Sequence, residues 1–252
     1  MTDHTALSRR TLLAALGTAA LAAPALARSL PALPTSNLGI DTGYWDAVRR
    51  LYSVTPEMVN LENGYWGIMA EPVKAEYKRL TDFVNFENTV YARTKIGQDL
   101  DNVRTPIADF LGVAREEIAL TRGATEALQT LIAGYNKLKP GDGVLYADLD
   151  YDSMQYAMNW LKNRRGVEVA KFDIPEPATK ANVLGAYEAA LKANPTTKLL
   201  LLTHISHRTG LMMPVRELAA MAKARGIDSI LDAAHSWGQV DFKAKDLGVD
   251  FI

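Results

Sequence analysis

The 252-residue sequence contains no cysteine. This absence excludes disulfide bonds, thiolate metal sites and a cysteine nucleophile from the chain. The basic residues are not clustered, and the formal net charge is -1. Because a protein that follows a phosphate backbone needs an extended basic surface, nucleic acid is not expected as a partner. The composition, 48% hydrophobic and 23% charged, is ordinary for an α/β protein with a sizeable core.

The N-terminal segment has the features of an export signal. Arg9 and Arg10 precede an apolar run that is short, rich in alanine and ends in an A-x-A pattern at Ala27. Residues 1–27 are therefore predicted to be a twin-arginine-type signal peptide that directs the protein to the periplasm. The run is too short to predict a stable membrane anchor.

Beyond a linker and N-terminal helix at 28–55, short strands and helices alternate along most of the chain. Residues 71–112 have a mostly helical pattern, with a break expected near Pro106. Strands are predicted at 117–121, 143–148, 167–174, 198–205 and 228–232, and helices at 44–52, 124–135, 152–163, 181–193 and 215–225. Such alternation predicts an α/β fold with a mostly parallel sheet and helices on both faces.

Two predicted strand ends carry residues suited to a phosphorylated ring. Gly123, Ala124 and Thr125 stand where a strand turns into a helix, and free backbone N–H groups at a helix start bind phosphate. Thr125 as a simple helix cap is the alternative. Tyr151 follows another strand, where its ring could stack on a flat cofactor, whereas Asp152 or Ser153 could cap the next helix.

Two further strand ends carry histidines and an acid. His204 and His207 lie at the end of the strand at 198–205, but no third ligand at supporting spacing indicates a metal site. Asp232 ends the strand at 228–232, and His235 follows three residues later. Asp232 is open to two interpretations, a helix cap or an acid in a ligand site at the carboxyl edge of a sheet.

These motifs together resemble the pyridoxal-phosphate (PLP) enzymes of aminotransferase class V, and in particular its isopenicillin N epimerase-like members. The motifs are Thr-Arg-Gly-Ala-Thr-Glu, Asp-Tyr-Asp-Ser, Ser-His-Arg-Thr-Gly and Asp-Ala-Ala-His, and the resemblance covers roughly residues 55–252. It implies a PLP-dependent transferase fold of type I, in which residues 56–252 form part of the large domain. The C-terminal part of that domain and the small domain are expected to be absent.

The resemblance implies a role for each residue of the cofactor site. Asp232 would pair with the protonated pyridine nitrogen and Tyr151 would stack on the ring. His207 and His235 would lie near the ring oxygen. The phosphate would be held by three consecutive residues, Gly123, Ala124 and Thr125.

The resemblance also implies a substrate side and a partner subunit. Asn63, Tyr65 and Trp66 match a loop over the substrate, although the glycine-flanked aromatics also suit a plain turn. The implied substrate is an amino acid or related amine, and the implied assembly of the full-length protein is a homodimer. Transamination and epimerisation share this cofactor platform.

The lysine that forms the Schiff base with PLP in this family is expected beyond Ile252. Lys243 and Lys245 follow Asp232 too soon and lie in a polar connector before the required strand. The chain alone is therefore expected to be inactive. Two alternatives remain open, a non-catalytic exported protein that keeps the pocket, and a nucleotide- or metal-dependent enzyme that uses His204, His207 and His235. The sequence has no Walker or G-x-G-x-x-G loop to support the latter.

Overall fold

The computed structural model describes residues 42–61, 63, 64 and 66–252. The predicted signal peptide at 1–27 and the predicted substrate-side Tyr65 lie outside the described residues. The chain divides into two compact units, the first ending at Ala119 and the second beginning at Leu120. None of the described helices has the length and apolar character that a membrane-spanning helix needs. The domain limits at 28–55 and 56–252 stay predictions.

The first unit is helical, with α1 (Thr42–Arg49), α2 (Glu71–Thr94) and α3 (Ile96–Leu111). The predicted break near Pro106 is wrong, because Pro106 lies inside α3 and the helices separate at Lys95. A proline removes only one backbone donor. The hydroxyl of Thr105, the residue directly before Pro106, donates a 2.9 Å hydrogen bond to the carbonyl oxygen of Asp101.

The strand predicted at 117–121 is also wrong. Residues Arg115–Glu117 form a short 3-10 turn, which the Glu117 carboxylate closes by accepting the N–H of Ala114 at 2.7 Å. Residues 118–121 pair with no other strand in the part of the chain that the structure describes.

The second unit confirms the predicted alternation, with element ends within two residues of those expected. Its strands are β1 (Gly143–Ala147), β2 (Glu168–Phe172), β3 (Thr197–Thr203) and β4 (Asp228–Asp232). Its helices are α4 (Ala124–Gly134), α5 (Asp152–Arg165), α6 (Lys180–Ala193), α7 (Val215–Lys223) and the short α8 (Ala244–Leu247).

The four strands form a parallel sheet in the order β2-β1-β3-β4. The chain leaves β1 for β2 on one side and then crosses back to β3 on the other side of β1. The direction of winding therefore reverses between β1 and β3. In open parallel sheets this reversal opens a crevice at the carboxyl ends of the two strands, where ligands bind.

Alternate residues of each strand face opposite sides of the sheet, and both sides are covered by helices. One face packs against α4 and α5 through Val144, Tyr146, Leu199, Leu201 and Ile230. The other face packs against α6 and α7 through Leu145, Ala147, Leu200, Leu202 and Leu231. The predicted parallel sheet with helices on both faces is confirmed.

The last residues of the chain begin to extend this sheet beside β4. The N–H of Leu231 donates to the carbonyl oxygen of Phe251 at 2.9 Å, and Phe251 forms a parallel bridge with Ile230.

Candidate functional site

A buried carboxyl group connects β1 and β3 at the point where the winding of the sheet reverses. Asp150 is 1% exposed. Its Oδ1 accepts the hydroxyl of Thr203, the last residue of β3, at 2.6 Å, and its Oδ2 accepts the N–H of Ala147, the last residue of β1, at 2.7 Å. Asp150 thus links the carboxyl ends of β1 and β3 through hydrogen bonds, at the point where the crevice is expected.

The environment of Asp150 disfavours its charge. Burial, together with a smaller contribution from the nearby carboxylates of Asp232 and Asp148, raises the pKa of Asp150 to about 7, although the hydrogen bonds from Thr203 and Ala147 oppose this shift. The carboxyl group is therefore partly protonated near neutral pH.

Asp232 ends β4 at the same edge of the sheet and is also buried. Its Oδ1 accepts the N–H of Ala234 at 3.0 Å, so it closes a local turn, but no helix begins there. Its Oδ2 has no hydrogen bond to any of the described residues. Burial raises the pKa of Asp232, and the Ala234 N–H, His235 and His207 oppose this shift. The site therefore holds a desolvated acid that a cation would stabilise.

Three rings lie together beside Asp232, as the sequence predicts. The Tyr151 and His207 rings pack edge to face, with centroids 5.1 Å apart, and the His207 and His235 centroids are 6.3 Å apart. Burial lowers the pKa of His207, and so does the charge of Arg208. His207 is therefore neutral at neutral pH.

The loop that carries His207 is tied to the start of α5. The Arg208 guanidinium forms an ion pair with the carboxylate of Asp152. The N-cap position of α5 is Tyr151, which makes no capping hydrogen bond through its side chain. The interpretation of Asp152 or Ser153 as the cap residue is therefore wrong, because Asp152 is already inside the helix and turns toward Arg208.

The anchoring and the length of α4 indicate where its first turn lies. At the other end of α4, the Tyr135 hydroxyl donates to Asp228, the first residue of β4, at 2.9 Å. An 11-residue helix is about 16 Å long, which matches the span of a five-residue strand. We therefore expect the first turn of α4 at the carboxyl edge, the edge that carries Asp150 and Asp232.

The first turn of α4 is exposed and open. The N-cap residue is Gly123, so the alternative that Thr125 caps the helix is wrong. The N–H groups of Ala124 and Thr125 have no acceptor among the described residues, as expected for a first helical turn. A Cβ atom on Gly123 would meet no atom within 4 Å. These donors and the Thr125 hydroxyl can meet an anion.

The predicted substrate-side residues belong to the first unit. Asn63 and Trp66 are exposed, in a segment without regular secondary structure. Their contact with a substrate stays a prediction. In the part of the chain that the structure describes, no three His, Asp or Glu side chains are grouped closely enough to hold a metal ion.

The link between Asp150 and Thr203 was not predicted. The available signal is an alternation of acids, Asp148, Asp150 and Asp152, directly after an apolar strand. Residues two apart in a strand point to the same side, but β1 ends at Ala147 and the three acids lie in the turn and the first helical position that follow, so their side chains diverge. Which one finds a donor depends on the neighbouring strand.

Comparison with protein-family models matches residues 71–252 to the family described as aminotransferase class V. Among curated proteins, the isopenicillin N epimerase of Streptomyces clavuligerus is 28% identical over 211 residues, which are 82% of this chain and 52% of that protein. A cysteine desulfurase of Yersinia pseudotuberculosis serotype O:1b (strain IP 31758) is 31% identical over 157 residues, 61% of this chain and 38% of that protein.

A similar fold is found in a solved structure of a C-DES mutant with glycine covalently linked to the PLP cofactor. The TM-score is 0.65 at 18% identity, over 78% of this chain and 52% of that one. The present chain therefore spans about half the length of the epimerase and of the C-DES chain.

Proposed function

Because the chain belongs to the aminotransferase class V family, we propose that it forms part of the cofactor-binding domain of a PLP-dependent enzyme. The proposed substrate is an amino acid or related amine, and the proposed reaction is a transamination or an isopenicillin N epimerase-like conversion. The names of the epimerase and desulfurase relatives support an amino-acid substrate. A shared fold does not determine the reaction, so the reaction type rests on these relatives alone.

The observation that carries the proposal is Asp232. A buried carboxyl group with one unbonded oxygen and a raised pKa is unfavourable by itself. It becomes favourable when a cationic N–H donor lies against it. A protonated pyridine nitrogen is such a donor, and the neighbouring ring of Tyr151 provides an aromatic surface for a flat heterocycle. The residues present fit this end of PLP.

The other end of PLP fits the first turn of α4. Unpaired backbone donors and the positive end of the helix dipole stabilise a phosphate dianion. An added Cβ at Gly123 would meet no atom within 4 Å, so the space beside this first turn is open.

When bound, PLP supplies an electron sink for negative charge that develops on the substrate. The residues of this chain would keep it ready for that role. Asp232 would hold a proton on the ring nitrogen, and Tyr151 would cover one ring face and exclude water. His207 is neutral because burial lowers its pKa, so it can donate one hydrogen bond and accept another at the ring edge.

The test is equilibrium binding of PLP to the 252-residue chain, followed by absorbance. Wild type is expected to bind, and pyridoxal without the phosphate is expected to bind more weakly. Asp232→Asn should bind about 100-fold more weakly, since a hydrogen bond to a charged group contributes roughly 1.5–3 kcal/mol. Asp246→Asn, an exposed acid on α8, is the matched control. Equal affinity of wild type and Asp232→Asn would refute the role of Asp232.

A second measurement addresses the lysine expected beyond Ile252. We propose that neither Lys243 nor Lys245 attaches PLP covalently. Borohydride treatment of the chain with PLP should therefore leave the mass of both lysine peptides unchanged. A mass increase on either peptide would show that PLP attaches to a lysine within this chain. If a longer chain that includes the expected lysine also bound PLP only reversibly, a non-catalytic binding protein would be the better interpretation.

Export by the twin-arginine route and assembly as a homodimer complete the proposal. The first is supported by the pattern around Arg9, Arg10 and Ala27, and the second by the family resemblance. Cell fractionation of the full-length protein tests the first, because recovery from the cytoplasm alone would contradict it. Light scattering of the same protein tests the second.

A further inference from the structure

We propose that Asp150 is a positioning residue of the PLP site, which holds the carboxyl ends of β1 and β3 together and so sets the Tyr151 ring against His207. This inference rests on the proposed function. It concerns a buried group that touches neither the predicted ring contacts nor the predicted phosphate donors, and that acts through its hydrogen bonds to Thr203 and Ala147.

On the side of β1, Asp150 determines the position of Tyr151. The two residues are adjacent, and Tyr151 is the N-cap of α5. The backbone carbonyl oxygen of Asp150 also accepts the Gln155 amide at 2.7 Å, so the turn between β1 and α5 is fixed from both sides. Any shift of Asp150 would therefore move the Tyr151 ring.

On the side of β3, the link continues to His207 and to β4. The residue after Thr203, His204, donates its N–H to the carbonyl oxygen of Asp232 at 2.9 Å. The loop then closes through a 3.0 Å hydrogen bond from the N–H of Ser206 to the carbonyl oxygen of Leu211. His207 follows directly. The bond between Thr203 and Asp150 thus joins the three strand ends that carry Tyr151, His207 and Asp232.

Charge alone would not hold Asp150 in this place. The ionisable groups that face it are Asp148 after β1, Asp232 on β4 and Tyr187 on α6, and none of them carries a positive charge. The Tyr187 hydroxyl is buried and has no hydrogen-bond partner among the described residues. The two hydrogen bonds that Asp150 accepts are therefore its main stabilising contacts, and the Thr203 hydroxyl is the only one of the two donors that a substitution can remove.

The experiment removes that donor and observes the site in two ways. Thr203→Val keeps the shape of the side chain but loses the hydroxyl, whereas Thr203→Ser keeps the hydroxyl. Asp142→Asn is the matched control, because the Asp142 Oδ2 accepts the N–H of Lys139 at 2.7 Å, just before β1, at the end of that strand opposite to Asp150. The first readout is the proton chemical shift of the His207 ring in the cofactor-free chain. The second is the dissociation constant for PLP.

Only four histidines are present, so the ring signals can be assigned with single His→Asn variants. Because an edge-to-face tyrosine displaces the signals of a neighbouring ring, Thr203→Val is expected to move the His207 signal toward that of the Tyr151→Leu variant. Its affinity for PLP should fall about tenfold, which corresponds to one hydrogen bond of roughly 1.4 kcal/mol. Thr203→Ser and Asp142→Asn should retain both the signal and the affinity.

The outcomes separate this inference from the proposed function. If wild type does not bind PLP, the proposed function fails, and the His207 signal alone decides whether Asp150 positions Tyr151. If wild type binds PLP but Thr203→Val changes neither readout, the inference is wrong and the proposed function stands. If Thr203→Val does not fold, Asp150→Asn replaces it, because an amide cannot accept both hydrogen bonds. An unchanged His207 signal in a folded Asp150→Asn variant would overturn the inference.

Discussion

The two ends of the proposed PLP site are built in different ways. At the sheet end, Asp150, Thr203 and Asp232 are 1%, 6% and 5% exposed, so their polar groups are desolvated before any ligand arrives. At the helix end, Gly123, Ala124 and Thr125 are exposed, and the donors are backbone N–H groups in contact with water. A ligand at the sheet end relieves an unfavourable burial, whereas a ligand at the helix end replaces water. We therefore expect substitutions at the sheet end to change both stability and affinity, and substitutions at the helix end to change affinity alone.

The largest effect is expected in the pH dependence of stability at Asp150. Its pKa is about 7 in the folded chain against an ordinary value of 3.8. Between these values the folded state keeps a proton that the unfolded state releases, so stability falls as pH rises. Over about three pH units at roughly 1.4 kcal/mol each, wild type loses up to about 4 kcal/mol. Asp150→Asn should remove this part of the slope.

Urea unfolding of the cofactor-free chain at pH 4.5, 6 and 7.5 measures that slope. The comparison uses the slope rather than the absolute free energy of unfolding, because the substitution also weakens a hydrogen bond. Asp241→Asn, an exposed acid in the loop after β4, is the control and should keep the wild-type slope. Parallel curves for wild type and Asp150→Asn would mean that burial at the sheet end is less complete than the structure indicates.

The next largest effect is expected at Asp232, where one substitution should raise the stability of the chain and lower its affinity for PLP. Burial raises the pKa of this group, so its charged form destabilises the cofactor-free chain increasingly as pH rises above 3.8. Asp232→Asn retains an oxygen for the Ala234 N–H and should unfold at higher urea concentration than wild type at pH 8, with a smaller gain at pH 5. The same variant should lose PLP affinity, as described above. A loss of both stability and affinity would show that the charge of Asp232 does not destabilise the cofactor-free chain.

A smaller effect, on affinity alone, is expected at Gly123. Its backbone is extended, with φ 174° and ψ 169°, a conformation that any residue adopts, and an added Cβ would meet no atom within 4 Å. Gly123→Ala should therefore change the free energy of unfolding by less than about 0.5 kcal/mol. PLP affinity should fall about tenfold, because the methyl group occupies the space in front of the helix donors. Gly134→Ala at the other end of α4 also has open space and should leave affinity unchanged.

The smallest effect is expected at Tyr151, between the two ends. Tyr151→Phe keeps an aromatic surface and should bind PLP within about twofold of wild type. Tyr151→Leu loses the ring contact, worth roughly 1 kcal/mol, and should bind about fivefold more weakly. Tyr156→Leu, which changes an exposed tyrosine of α5, serves as control in the same titration. Wild-type affinity in Tyr151→Leu would exclude a stacking role for this ring.

Most strands and helices of the second unit can be predicted from the sequence because the local pattern of apolar residues specifies which face of each element is buried. The strand at 228–232 was predicted with the bounds that the structure has, since an apolar run between a glycine-containing turn and an acid allows few alternatives. The proximity of Tyr151, His207, His235 and Asp232 follows from parallel strands, whose carboxyl ends meet at one edge. Their individual contacts with PLP stay predictions.

The failures share a physical cause, which is dependence on distant partners. Residues 118–121 have the composition of a strand, but a strand exists only through backbone pairing. The break predicted at Pro106 considered the proline alone, whereas the helical structure of the residues on both sides of it is retained in α3. Asp150 was missed because its significance depends on Thr203, 53 residues away, and no local pattern announces that pair.

The run of leucines in β3 gives the hydrogen bond between Thr203 and Asp150 a second consequence. Residues 199–202 are four leucines that alternate between the two faces of the sheet. If β3 slipped by one residue, leucine would replace leucine on each face, so apolar burial alone would hardly distinguish the two alignments. A slip would, however, bury the Thr203 hydroxyl without an acceptor and leave Asp150 without its donor, a penalty of roughly 1–3 kcal/mol for each group. The polar pair thus specifies the register of the central strand, which the leucines themselves cannot do.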